Sequence, residues 1–164
     1  MELVGVQEAL KNQPEEMQAG LKGYVYHGVG RDDGKAAGEH SAIFYKTSKY
    51  TMAASGDFWL STTPEKVGPG WDARLNRICS WVALKDKKTG KEFFVFNAHY
   101  DHQGVQARVE SSKLIIEKIK SIAGDKPVVF MGDLNGNRES EWYLHVASSG
   151  ILKDSHGLAK TVHQ

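Results

Sequence analysis

Only one cysteine, Cys79, occurs in 164 residues, which excludes an internal disulfide; its apolar setting between Ile78 and Trp81 reads as a small core residue rather than a reactive thiol. An excess of one charge sign is also missing. The 21 Lys and Arg residues against 20 Asp and Glu leave a formal charge of +1, which argues against a generally basic nucleic-acid binder and leaves only local basic spots, because affinity for a phosphate backbone accumulates with cation number. No apolar run approaches the roughly 20 residues of a membrane-spanning helix, and nothing at the start reads as a signal peptide, so the compartment is left open. Internal repeats and low-complexity tracts are absent. What remains, 40% hydrophobic and 25% charged, is the composition of a globular chain, and residues 1–164 are expected to form a single domain.

Taken in order, Met1 to Glu8 reads as a strand already in progress, with Glu8 where its apolar run ends. Pro14 with Glu15 and Glu16 opens a short helix that Gly23 should stop. Tyr24 to Tyr26 suits a short strand, and Gly28 to Glu39 is too rich in glycine and charge to pack, so a surface loop with solvated charges at Arg31, Asp33 and Glu39 is expected. Ser41–Lys46 and Tyr50–Leu60, joined by Thr47, Ser48 and Lys49, predict a hairpin; Ser61 to Asp72 is another loop. The clearest hairpin pairs Asn76–Leu84 with Glu92–Asn97 across the turn Lys87 to Gly90. Val105, Val109, Ile115, Ile116, Ile119 and Ile122 keep one side of a helix apolar from about Val105 to Ala123, and Glu139–Ser148 predicts one more helix. Tyr45, Trp59 and Trp81 are expected in the core. Strands in hairpins followed by helices between later strands predict an α/β or α+β sandwich.

Chemistry concentrates where strands stop. Val128 to Met131 reads as a buried strand that breaks at Gly132 into a turn bearing Asp133, suited to polarising water or binding a cation, and Asn135, suited to donating to an anionic oxygen. A second polar cluster, Asn97-Ala98-His99-Tyr100-Asp101-His102, ends another strand, and Glu8 ends a third. A carboxylate, an imidazole with an amide, and a carboxylate with an amide are the parts that metal-assisted attack of water on a phosphate ester requires.

The ordered set Val-Gly-Val-Gln-Glu, Gly-Val-Gly-Arg-Asp-Asp-Gly with Gly-Glu and Ile-Phe-Tyr, Phe-Trp-Leu-Ser, Phe-Asn-Ala-His-Tyr-Asp-His and Gly-Asp-Leu-Asn resembles the endonuclease/exonuclease/phosphatase superfamily over nearly the whole chain. The resemblance implies a four-layer sandwich of two mixed β-sheets with outer helices. It implies Mg²⁺ or Mn²⁺, with Glu8 matching the metal-binding glutamate, and a phosphate-ester substrate whose class (nucleic acid, sugar or lipid phosphate) stays open. His99 matches the phosphate-side histidine, Asp133 the aspartate that orients the attacking water, and Asn135 its phosphate-orienting partner. Arg77 and Asn97 are further candidates for contact with the substrate phosphate, Arg77 by a bidentate fork.

The same comparison implies a domain incomplete at its N- and C-termini. Family members carry an early strand ending in an active-site asparagine and a late Ser-Asp-His motif; Asp154-Ser155-His156 has those letters in another order and lies too early. The expectations are weak or absent turnover by this chain alone and exposed strand edges open to self-association. Two competing readings follow: a catalytically impaired fragment or non-catalytic binding module on the same scaffold, and a metallo-β-lactamase-like zinc hydrolase, whose histidine motif the 97–102 stretch nearly matches with Asn97 in place of the first histidine. Arg108 is expected to brace its helix start against Asp101 or Asp133.

Overall fold

The computed structural model describes residues 2–159. The chain runs β1 (Leu3–Ala9), α1 (Asn12–Gly20), β2 (Tyr24–His27), β3 (His40–Lys46), β4 (Tyr50–Trp59), β5 (Ile78–Asp86), β6 (Glu92–His99), α2 (Val105–Ala123), β7 (Val128–Asp133), α3 (Glu141–Ala147) and α4 (Ser155–Leu158). Two sheets result, an antiparallel one in the order β1-β3-β2 and a mixed one in the order β4-β5-β6-β7. This is the expected α/β sandwich of sheets and helices. No helix among the described residues is long and apolar enough to cross a membrane.

Alternation along β6 sorts the side chains into two cores. Phe94, Phe96 and Ala98 pack with Cys79, Ala83 and the Ile115–Ile119 side of α2, whereas Val95 packs with Ile43, Tyr45, Val82 and Leu84 between the sheets. A strand buried on both faces in this way has no need of polar residues until its end. The β5–β6 turn is held by Asp86, whose Oδ1 accepts from the N–H groups of Lys88 (2.9 Å) and Thr89 (2.6 Å). After β6, α2 supplies the crossover that a parallel neighbour requires. Gly104 at its N-cap has no side chain to offer, so Asp72 reaches across from the loop between β4 and β5 to accept from Gln106 N–H (3.2 Å) and Ala107 N–H (2.6 Å).

Four expectations change. The Ser41–Lys46 and Tyr50–Leu60 strands are not a hairpin: β3 is already paired on both edges, by β1 and β2, and the short link instead carries the chain to the other sheet, where β4 pairs with β5. β7 is an edge strand rather than a buried one, with Val129 41% exposed. The helix α1 ends at Gly20, before Gly23. The 28–39 loop is packed: Asp33 folds it by accepting from Lys35 and Ala37 N–H groups (2.7 and 2.9 Å), a Cβ on Gly30 would sit 2.2 Å from Ala37 O, and Trp59 Nε1–H donates to Arg31 O (2.7 Å). Self-capping by aspartate turned a polar stretch into a folded one.

His27 on β2 meets Asp57 on β4 at 3.0 Å and so ties one sheet to the other, while Ser80 Oγ donates to the second oxygen of Asp57 (2.5 Å). Burial disfavours the imidazolium, but the Asp57 carboxylate outweighs it and raises the His27 pKa. A raised histidine pKa adds stability that is complete below the unfolded value of about 6.5 and is lost as pH climbs through the folded value. Asp57→Asn is therefore expected to cost about 2 kcal/mol near pH 6, the scale of a hydrogen bond to a charged group, and distinctly less near pH 9. Urea unfolding of both proteins at the two pH values checks this; equal costs would contradict it.

Candidate active site

Strand register brings the site together. β6 and β7 run parallel with His99 opposite Asp133, so imidazole and carboxylate emerge at the same ends of neighbouring strands. His99 shares the inter-sheet side of Val95 and Asn97, which turns it toward the smaller sheet. Gly132 permits the close pairing: its φ is +151°, and a Cβ there would lie 2.1 Å from Ala98 O. Just beyond, Asn135 adopts φ +48°, its N–H donates to Asp133 Oδ1 (2.8 Å), and its Nδ2 donates to Tyr100 O (2.9 Å).

Glu8 arrives from the other sheet. The β1–β3 register shifts between Val6 and Ala9, and Glu8 takes a left-handed φ of +59° within that irregularity. Such a bulge re-aims a side chain. Glu8 Oε1 comes to 3.8 Å from His99 Nε2, and Asp133 Oδ2 lies 4.0 Å from the same nitrogen.

Behind His99 lies a buried charged layer. Arg77, immediately before β5, is 4% exposed and places Nε 3.3 Å from Asp101 Oδ1, one terminal nitrogen 3.0 Å from His99 Nδ1 and the other 3.0 Å from His102 Nδ1. Asp101, 1% exposed, also accepts from the N–H groups of Gln103 (3.0 Å) and Gly104 (2.8 Å). Burial alone would raise the Asp101 pKa; the N–H donors and Arg77 reverse that and hold the carboxyl far below its ordinary range. For His99, burial and then Arg77 depress the pKa, against the opposing pull of Asp133, Glu8 and Glu39, which favours a neutral ring at neutral pH. Arg31, expected as a solvated loop charge, is buried and donates to Glu39 Oε2 at 2.6 Å, and that oxygen lies 3.9 Å from His99 Nδ1.

Glu8, His99, Asp133 and Asn135 thus share one face, with Arg77 just beneath it. Asn97 does not join them. It is fully buried; its Nδ2 donates to Val6 O (3.0 Å) and Ala42 O (2.9 Å), and its Oδ1 accepts from Gln7 (2.6 Å), so the amide stitches the sheets together and has no donor left for phosphate. Arg77 has both terminal nitrogens occupied by imidazoles and is likewise not an open phosphate fork. The zinc reading loses its geometry here: a guanidinium stands between His99 and His102, and Asp101 is committed to that guanidinium and to backbone N–H groups. Arg108 reaches the Asp101 carbonyl (3.0 Å) rather than a carboxylate and stacks 4.4 Å over Trp142. Asp154 accepts from Tyr143 OH (2.5 Å), a structural role. The Arg31–Glu39 pair and the Asp101 anchor carry no periodic signal; the glycine density around Arg31 is the one hint that backbone comes close there.

For a metal, the test is the donor set. Two carboxylates approach a single imidazole nitrogen, and both are largely exposed (69% for the Glu8 side chain, 52% for Asp133). Among the described residues no three or more His, Cys, Asp and Glu side chains are grouped so that they could hold a metal ion by themselves. Few hard oxygen donors facing water fit Mg²⁺ or Mn²⁺, which keep several waters, better than a closed cage.

No family model matches the chain. It is similar to a solved mannosyl-6-phosphatase of Bacteroides thetaiotaomicron, with 48% identity and a TM-score of 0.93 over 96% of this chain and 60% of that one. It is also similar to an endonuclease/exonuclease/phosphatase family protein of the same organism, with 49% identity and a TM-score of 0.89 over 92% of this chain and 55% of the other. Drosophila melanogaster Nocturnin is 25% identical over 116 residues, which is 68% of this chain and 17% of Nocturnin. The chain therefore spans little more than half the length of the solved relatives it matches.

Asp101→Asn leaves Arg77 buried without its carboxylate and is expected to cost about 3 kcal/mol at neutral pH. Because the Asp101 pKa is depressed, its contribution is present above about pH 4 and is lost as pH falls toward the folded value. Denaturation at neutral pH and near pH 3 should show the gap between the two proteins narrowing in acid; a gap that widens in acid would refute the assignment.

Proposed function

This chain belongs to the endonuclease/exonuclease/phosphatase superfamily, and on that premise we propose that it carries the catalytic face of a divalent-metal-dependent phosphoesterase. The observation behind the reading is the convergence of Glu8 and Asp133 on His99 Nε2 at the ends of β1, β6 and β7. Glu8 is the residue for Mg²⁺ or Mn²⁺, which when bound would withdraw negative charge from the phosphoryl oxygens. Asp133, fixed by the Asn135 N–H, orients the attacking water. His99 donates to a phosphoryl oxygen or to the leaving alcohol, and Asn135 orients the phosphate group. Similarity at 48% identity to a mannosyl-6-phosphatase supports a sugar phosphate monoester as substrate, and the formal charge of +1 fits a small ester better than a duplex.

A second reading is a binding module with little turnover on the same scaffold, with 1–164 as one portion of a domain. The half-exposed β7 edge favours it, because an uncovered strand invites another strand. Hydrolysis of p-nitrophenyl phosphate, its bis ester and mannose 6-phosphate by the purified chain with Mg²⁺ separates the two. The phosphoesterase reading expects turnover abolished by EDTA and reduced about 10²–10³-fold by Asp133→Ala or His99→Gln. A folded chain that hydrolyses none of the three esters favours the binding module.

A further inference from the structure

We infer that Arg77 is a positioning residue that sets the tautomer of two imidazoles at once, leaving His99 and His102 each as an Nε2–H donor. The argument starts from what a guanidinium is able to do. Arginine has N–H donors and no acceptor, so a ring nitrogen in hydrogen-bond contact with it must carry a lone pair. Both contacts are to Nδ1, at 3.0 Å for His99 and 3.0 Å for His102. A neutral imidazole holds one proton, and with Nδ1 accepting, that proton resides on Nε2 in both rings. A protonated ring would press an N–H against the guanidinium. Asp101 supplies the third contact, at Nε, and through its own bonds to Gln103 and Gly104 keeps the guanidinium plane fixed.

The assignment also resolves a conflict on the other side of His99. Asn135 Nδ2 gives one hydrogen to Tyr100 O and brings its second within 3.2 Å of His99 Nε2, so two donors compete for the one lone pair of a neutral ring; the shorter, charge-assisted contact from Arg77 at Nδ1 takes it and leaves donor facing donor at Nε2. The Nε2–H instead faces Glu8 Oε1 and Asp133 Oδ2 at 3.8 and 4.0 Å, both longer than a hydrogen bond. A ligand oxygen would complete it. His102, with its side chain 43% exposed, presents the second Nε2–H at the rim, with no protein partner for that nitrogen among the described residues. Lysine cannot reproduce this, because its ammonium is a point charge without the planar fork that serves three acceptors at fixed angles. The catalytic relevance of the arrangement rests on the phosphoesterase reading; the tautomers themselves do not.

The test uses the full chain labelled with ¹⁵N-histidine at neutral pH, its signals assigned with His99→Gln and His102→Gln. Long-range ¹H–¹⁵N correlations are expected to show an unprotonated Nδ1 and a protonated Nε2 for both rings of the parent protein. Arg77→Lys, and the pair Arg77→Met with Asp101→Asn, which leaves no orphaned charge, are expected to give mixed tautomers in at least one ring. Arg77→Lys should also lower kcat about tenfold or more with a smaller change in KM. Protonated Nδ1 in either ring of the parent protein overturns the inference whether or not the variants fold, and so do folded variants that both keep pure Nε2–H tautomers. Parent tautomers as stated, together with no hydrolysis of any ester, would sink the phosphoesterase reading and leave the tautomer assignment standing.

Discussion

The buried guanidinium of Arg77 is the constraint on which the site depends. Removing a charge from water costs several kcal/mol unless it is paired, and here Asp101, His99 and His102, from the end of β6 and the turn after it, each meet one of its three nitrogens. Asp101 in turn takes the first N–H groups after that turn, so the same interaction that orients His99 also aims the chain into α2. α2 is the crossover that lays β7, and with it Asp133, beside β6.

Sheet geometry does the rest. Parallel pairing sets His99 opposite Asp133, alternation turns His99 toward the smaller sheet, and the close backbone approach at Gly132 needs a residue without Cβ. Glu8 reaches the same nitrogen only because β1 departs from regular pairing after Val6. A face with two exposed carboxylates, a neutral imidazole and an amide, backed by a rigid buried layer, holds its polar groups in place before any substrate arrives. That is the condition under which electrostatic stabilisation of a transition state is effective.

Much of this was legible in the sequence where local chemistry and periodicity agree. The β5–β6 hairpin, the long helix from Val105 to Ala123, the core placement of Cys79 and the polar strand ends all follow from short-range pattern. What was not legible depends on partners distant along the chain. Whether Ser41–Lys46 pairs with its successor or with β1 and β2 is a competition between edges that no local propensity decides. Arg31 looks solvated until Glu39 and Trp59 fold over it. Asn97 has the residue type of a phosphate contact and the position of one, yet its amide is consumed by Val6, Gln7 and Ala42 across the sheet interface. Arg77 was placed near the right chemistry, but its work is to hold imidazoles rather than an anion.

The central claim is that this face directs water onto phosphorus. Hydrolysis of mannose 6-phosphate or p-nitrophenyl phosphate in ¹⁸O-labelled water with Mg²⁺ tests it directly. The account predicts metal-dependent phosphate release with the label in the phosphate. Label in the alcohol instead would contradict it, as would the absence of release from a folded, Mg²⁺-loaded chain on either ester.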